Sequence, residues 1–247
     1  MPVIAPAPAN VPVLSTEQMI EVDRLMIKSY CIELKQMMEN AGRSLAIVAR
    51  EKFFPQALKG KRILAMVGTG GNGGGALVAA RRLQSWGANM TVCLTANPAQ
   101  LSPVTAHQLR IIHEMGVPEV EIKDLPKLGD YDLLLDGVIG YRIKGDPRGN
   151  AKSLIEWANA QPTPTLALDT PSGLHLSSGN VYEPCIKAAA TVTLALPKQG
   201  LYAEAAKAVV GDLFLADISV PPQLYQHLDV PLEAVAQLFA NSDVIQL

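Results

Sequence analysis

The sequence predicts an α/β fold, a mainly parallel sheet covered by helices on both faces, and three observations carry that prediction. The apolar run Ile63-Leu64-Ala65-Met66-Val67 leads through Gly68-Thr69-Gly70-Gly71-Asn72-Gly73-Gly74-Gly75 into the helix-like Ala76-Leu77-Val78-Ala79-Ala80-Arg81-Arg82-Leu83. Strand, glycine-rich turn and helix in that order open a βαβ unit. Apolar strands and helical stretches then alternate to the end of the chain. Finally, 247 residues with 49% hydrophobic and 18% charged side chains are enough to build a substantial core.

The elements follow from periodicity and caps. Leu14-Ser15-Thr16-Glu17-Gln18-Met19 opens a helix that Ser15 or Thr16 can cap, with Glu17 or Gln18 as early acceptors, and Met19, Val22, Met26 and Ile27 follow at helical spacing. A second helix runs from about Leu34 through Glu51. Its Met37 and Met38 read as core, while Glu39 and Asn40 suit either a helix surface or a pocket. Strands are expected at Ile63–Val67, Met90–Thr95, Tyr131–Ile139, Thr165–Asp169, Thr191–Ala195 and Leu213–Ile218. Helices are expected at Ala76–Trp86, Ser102–Gly116, Ser153–Ala160 and Leu232–Phe239. The Pro/Ala-rich start, residues 1–13, reads as a flexible arm, and residues 14–247 as a single domain.

Composition excludes several classes. A net charge of −2 leaves no electrostatic footprint for nucleic acid. No apolar run reaches the roughly 20 residues of a membrane span, and the start lacks the basic and apolar regions of a signal peptide. Cys31, Cys93 and Cys185 are widely spaced with no C-x-x-C, which argues for a reducing, cytoplasmic setting. The histidines, His107, His113, His175 and His227, have no metal-ligand spacing.

In such sheets ligands sit beyond the carboxyl ends of the strands. Six glycines between Gly68 and Gly75 let a backbone approach a ligand closely there. Three further segments place polar groups at strand ends: Asp136-Gly137 running into Gly140-Tyr141-Arg142-Ile143-Lys144-Gly145, Asp169-Thr170-Pro171-Ser172-Gly173, and Leu196-Pro197-Lys198. Asp136 and Asp169 facing basic residues can hold a cation, bind hydroxyls or move protons. Gly68-x-Gly70-x-x-Gly73 matches the dinucleotide fingerprint, but Asn89 through Asn97 offers no acid for the ribose hydroxyls, which disfavours an ordinary NAD-dependent dehydrogenase. No Lys-Ser/Thr follows the glycines, so the loop is not a P-loop, and Thr170-Pro171-Ser172-Gly173 is not the G-x-S-x-G of serine hydrolases.

Together these segments resemble the YjeF N-terminal domain family, the NAD(P)H-hydrate (NAD(P)HX) epimerases, described in animals as apolipoprotein A-I-binding protein. The likeness runs from Leu14 to Tyr225. It rests on Leu14-Ser15-x-x-Gln18-Met19 with Asp23, Met38-Glu39-Asn40-Ala41-Gly42-Arg43, the glycine loop with Leu77-Val78-Ala79-Ala80-Arg81, and Asp136-Gly137-x-x-Gly140. Asp169-x-Pro171-Ser172-Gly173, Thr191-Val192-Thr193 with Pro197-Lys198-x-Gly200, and Gly211-Asp212-Leu213 with Ala216-Asp217-Ile218 complete it.

The resemblance implies a three-layer αβα Rossmann-like sandwich, a homodimer, and interconversion of the R and S hydrates of NADH and NADPH. It implies substrate contacts from Gly71, Asn72, Gly73, Gly74, Gly75, Gly140, Tyr141, Arg142, Ile143, Lys144, Gly145 and Asp169, and one potassium ion per subunit on Asn72, Asp136 and Ser172. C6 of the hydrate is a hemiaminal carbon, so inversion needs protonation of its hydroxyl, a transient iminium and water returning to the other face. Asp169 and Lys144 are the expected acid–base pair, with Asp136 ordering the cation and loop. Because the chain ends at Leu247, dehydration of the hydrate is expected from a separate dehydratase.

The chain also departs from the family pattern G-x-G-N-N-G-G-D-G. Gly71 stands for the first Asn, Gly75 for the Asp and Ala76 for the last Gly, and Ala189 replaces a later Asp. These losses keep two alternatives open: a non-catalytic nucleotide-binding or scaffold protein, and an enzyme for another nucleotide or sugar-phosphate ligand.

Overall fold

The computed structural model describes residues 3–125 and 131–247. A short strand, β1 (Ala5–Pro6), precedes helix α1 (Thr16–Lys28). Of the two candidate caps, Ser15 is used: its hydroxyl accepts the Gln18 N–H at 3.2 Å, and the Gln18 side-chain carbonyl accepts the Ser15 N–H at 2.9 Å. This reciprocal box satisfies two donors that the helix itself leaves open. Next come α2 (Leu34–Val48), which ends in a wider π turn over Ala49–Phe53, then β2 (Arg62–Val67), α3 (Gly71–Ser85) and β3 (Asn89–Leu94). Helix α4 (Pro103–Glu114), β4 (Glu119–Val120), β5 (Leu133–Gly137), α5 (Gly149–Asn159) and β6 (Thr165–Leu168) follow. The chain continues through β7 (Ala190–Leu194), α6 (Lys207–Val210), β8 (Asp212–Ala216), α7 (Leu232–Val235) and β9 (Val244–Gln246).

The strands form one nine-stranded sheet in the order β1-β9-β8-β7-β6-β5-β2-β3-β4. Every neighbouring pair is parallel except β8 with β9. Alternation along a strand sorts side chains to the two faces. Ile63, Ala65 and Val67 of β2 join the core built with α1, α2, α3 and α4. Leu64 and Met66 pack on the other face against Leu154, Ile155 and Ala158 of α5. The predicted three-layer α/β arrangement is present, and each buried Leu, Ile or Met in it contributes about 1.5–3 kcal/mol.

Three local expectations differ. The helix expected to start at Ala76 starts at Gly71, so four of the loop glycines are helical. Glycine disfavours a helix by about 1 kcal/mol, but packing overrides that preference. A Cβ on Gly73 would lie 2.0 Å from the Gly68 carbonyl oxygen, and one on Gly75 would lie 2.5 Å from Leu168 Cδ2. Second, the final helix stops at Val235, and turns carry the chain on to Phe239. Third, the segment expected as a flexible arm is tied to the sheet at Ala5–Ala7; Met1 and Pro2 fall outside the described residues. β1 pairs with β9, Ala7 N–H donates to Gln246 O at 2.8 Å, and Leu14 is fully buried. Strands of two or three residues carry no periodicity from which they could have been predicted.

Helices α2 and α3 approach so closely that a Cβ on Gly42 would lie 2.4 Å from Val78 Cβ and 2.5 Å from the Gly75 carbonyl oxygen. Gly42→Ala therefore overpacks the interface, a cost of about 1–3 kcal/mol that outweighs the roughly 1 kcal/mol gain in helix propensity. Thermal unfolding should show a melting temperature lowered by several degrees; an unchanged or raised value would contradict this packing.

Candidate functional site

β2 is flanked by β3 on one side and β5 on the other, so the chain reverses its direction of travel across the sheet between β2 and β5. The carboxyl ends of these two strands form the topological switch point, where such folds bind ligands. A cavity of about 110 Å³ opens there, with Gly71, Asn72, Leu168, Asp169 and Leu194 contributed by strand ends and the glycine turn. Helices α1 and α2 roof it through Met19, Asp23, Met37 and Met38. A larger cavity of about 420 Å³ beside α7 holds Asp217 but no cation, and it does not include the groups described next.

At the floor, Asp169 ends β6 with a positive φ of 65°. That left-handed conformation is tolerated by aspartate better than by most residues, and it is held by the Asp169 N–H donating to Val192 O at 2.7 Å. The side chain meets Lys198, whose Nζ donates to Asp169 Oδ1 at 2.5 Å, to Thr193 Oγ1 at 2.7 Å and to Leu194 O at 3.2 Å. All three ammonium protons are thus used. Thr193 passes its own proton to the same Asp169 oxygen at 3.3 Å. Lys198 is 0% exposed and Asp169 2%. A buried ion pair holds its gain only when such extra hydrogen bonds complete it. Asp169 Oδ2 has no hydrogen-bond partner among the described residues, and Asp169 lines the cavity.

Next to it, Asp136 ends β5 in full burial with no salt-bridge partner among the described residues. Its Oδ1 accepts the Ser172 hydroxyl at 2.6 Å and the Val138 N–H at 3.1 Å, while Oδ2 accepts the Ser172 N–H at 2.8 Å. Burial pushes the carboxyl up to about 6, against the downward pull of these hydrogen bonds. Asn72 donates from Nδ2 to Leu168 O at 2.7 Å, and a Cβ on Gly140 would lie 2.6 Å from Asn72 Oδ1. The Ser172 hydroxyl also accepts the Ile139 N–H at 2.7 Å, which locks the loop after β5.

Among the residues anticipated from sequence, Gly71, Asn72, Tyr141 and Asp169 line the cavity, and Asp136 and Ser172 meet behind it. Gly73, Gly74 and Gly75 are buried in α3, so they pack the helix rather than face the cavity. Arg142 stacks over the Tyr141 ring with its guanidinium 5.3 Å from the centroid, Ile143 is buried, and Gly145 turns the loop with φ 75°. Lys144 is exposed and does not line the cavity; the basic partner of Asp169 is Lys198. The acid–base pairing of Asp169 with Lys144 is corrected accordingly. Nearness to a glycine loop in sequence does not say which lysine turns inward, whereas Lys198 directly follows the strand beside Asp169. Glu39 is a packing group that bridges Arg81, Arg82 and Gln108.

Breaking a buried pair leaves a charge without a partner, at about 3–5 kcal/mol. Lys198→Met should lower the unfolding free energy read from urea titration by that amount, and Asp169→Asn combined with it should recover a large part. A single variant within about 1 kcal/mol of the unmodified protein would contradict the pairing.

The family model described as YjeF-related protein N-terminus matches residues 34–200. The NAD(P)H-hydrate epimerase of Dehalogenimonas lykanthroporepellens is 38% identical over 88% of this chain and 84% of its own length. That of Truepera radiovictrix is 35% identical over 89% of this chain and 94% of its own. A bifunctional NAD(P)H-hydrate repair enzyme of Moorella thermoacetica is 35% identical over 85% of this chain, which spans 41% of that relative. The crystal structure of a yeast protein superposes with a TM-score of 0.79 at 22% identity, covering 96% of this chain and 100% of that one, a likeness of fold. The chain belongs to the YjeF-related protein N-terminus family.

Proposed function

We propose that this chain is an NAD(P)H-hydrate epimerase that interconverts the R and S hydrates of NADH and NADPH. The observation that carries the proposal is the free Asp169 oxygen, presented to a switch-point cavity by a fully hydrogen-bonded Lys198. Such an oxygen can take a proton from an incoming water or return one to a departing hydroxyl. Lys198 has no proton to spare for a ligand, so it is a positioning residue. The cavity's apolar walls, Leu168, Leu194 and Ile218, suit a flat ring. At about 110 Å³ it takes one end of a dinucleotide, and the N-terminus of α3 offers N–H groups to the phosphates.

The proposal includes one potassium ion per subunit, held by Asn72, Asp136 and Ser172. The donor set fits: a single buried carboxylate without a cationic partner among the described residues has the Ser172 hydroxyl beside it, and the Asn72 amide oxygen lies against Gly140 in the loop that Ser172 holds, which matches one positive charge. No cluster of three or more His, Cys, Asp or Glu suited to a more highly charged metal occurs among the described residues. Bound there, the ion would neutralise Asp136 and steady the loop that begins at Val138. The proposal extends to a homodimer in the cytoplasm that works with a separate dehydratase; no helix among the described residues is long and apolar enough to cross a membrane.

One observation favours the second reading, a binding protein without catalysis. At Gly75, where the family pattern has Asp, the acid is absent, and a Cβ there would lie 2.5 Å from Leu168 Cδ2, so a side chain at this position needs Leu168 to shift.

The test follows purified R-NADHX converting to S-NADHX against the spontaneous rate, with potassium or with choline. Acceleration is expected, with a loss of about 100- to 10,000-fold in Asp169→Asn. Potassium should raise the melting temperature of the protein but not of Asp136→Ala. No acceleration at high protein concentration, with a nucleotide-induced thermal shift retained, would establish the second reading instead.

A further inference from the structure

A second carboxylate faces the same cavity. Asp23 lies on α1, one turn beyond Met19, and both residues form part of the roof above Asp169. Its Oδ2 accepts the Tyr141 hydroxyl at 2.7 Å, and Oδ1 has no hydrogen-bond partner among the described residues. It caps no helix and forms no salt bridge among the described residues; the Tyr141 hydroxyl ties one of its oxygens to the loop after β5 and leaves the other open. Its surroundings are opposite to those of Asp169. Asp169 is the anion of a buried ion pair, whereas Asp23 is desolvated beside an aromatic hydroxyl.

Inverting a hemiaminal carbon requires two proton-handling groups in opposite states. One gives a proton to the departing hydroxyl, and the other takes one from the water that arrives at the opposite ring face. We propose that Asp23 is a catalytic residue of the epimerisation, working from the roof of the cavity against Asp169 on its floor. The inference rests on the epimerase reading above. In one direction Asp23 transfers its proton to the C6 hydroxyl, the C6–O bond breaks with both electrons leaving on water, and the ring nitrogen supplies the electron pair that forms the iminium. A water then adds to C6 from the other side, and its proton passes to Asp169. The reverse direction exchanges the two roles. The cycle closes when the proton returns from one carboxylate to the other through water in the open cavity.

The groups acting on Asp23 from its neighbours agree with this division. Burial raises its pKa, the hydrogen bond from Tyr141 lowers it, the Asp169 charge raises it, and Arg142 and Lys198 lower it. The Asp169 charge therefore favours the protonated form of Asp23.

The experiment measures kcat/KM for R-NADHX across pH, with the spontaneous rate subtracted at each point, for the unmodified protein, Asp23→Asn, Asp23→Glu and Tyr141→Phe. Asp23→Asn should lose about 100- to 10,000-fold while its melting temperature is retained, and Asp23→Glu should restore part of the loss. Tyr141→Phe keeps the carboxylate but removes the donor that favours its charged form, so the alkaline limb of the profile should move to higher pH. Acceleration by the unmodified protein with Asp23→Asn active within about threefold and the Tyr141→Phe limb unmoved would overturn the role of Asp23 alone. If Asp23→Asn fails to fold, the Tyr141→Phe limb decides. No acceleration by the unmodified protein would overturn the epimerase reading, and this inference with it.

Discussion

Lys198 carries its charge into a place that water does not reach, and the need to satisfy three ammonium protons there constrains much of the molecule. Two acceptors, Thr193 Oγ1 and Leu194 O, come from the end of β7, and the third is Asp169 at the end of β6. The strands must therefore be neighbours, and Asp169 must turn its carboxylate sideways in a left-handed conformation. Lys198 is pinned from the other side, because Leu14 N–H donates to Pro197 O at 2.9 Å and Gln199 N–H to Leu14 O at 3.1 Å. Leu14 sits immediately before the Ser15 cap, so the contact that fixes Lys198 also sets where α1 begins. The helix then carries Met19 and Asp23 over the cavity. Floor and roof of the site are in this sense positioned by one buried cation.

A second constraint acts from the opposite wall. The glycines of α3 allow the helix to sit close against the ends of β2 and β5, where Gly73 meets the Gly68 carbonyl, and against α2, where Gly74 makes room for the Met38 side chain. That closeness puts Asn72 beside Gly140 and within reach of the Leu168 carbonyl, and it brings the helix N-terminus to the cavity edge. Asp136 and Ser172 lie behind this contact, joined by two hydrogen bonds that tie the loop after β5 to the turn after β6. The site is thus a junction of four strand ends.

The βαβ opening and the apolar strands were legible because burial on both faces leaves long apolar runs that little else produces. The glycine loop and the acids Asp136 and Asp169 were legible because each follows such a run directly. The reach of individual side chains was not. Lys144 and Lys198 both stand near strand ends in the sequence, and only the strand order shows that Lys198 turns under Asp169 while Lys144 stays in solvent. Asp23 was legible as part of the family resemblance, but as one polar position on an amphipathic helix it gives no sign from periodicity that it faces the cavity while the exposed Arg24 beside it does not. The helical start at Gly71 was hidden because propensity opposes it and packing at a distance decides it. The short strands β1 and β9 were hidden because they owe their existence to each other and to β8.

In the proposed reaction the cavity inverts C6 by removing its hydroxyl as water and admitting water from the other face. This route is tested most directly by running the epimerisation in water labelled with heavy oxygen and following the label in the S product by mass spectrometry. The account predicts that label enters the C6 hydroxyl at the rate of enzyme-accelerated inversion. Accelerated inversion with the original oxygen retained would contradict it.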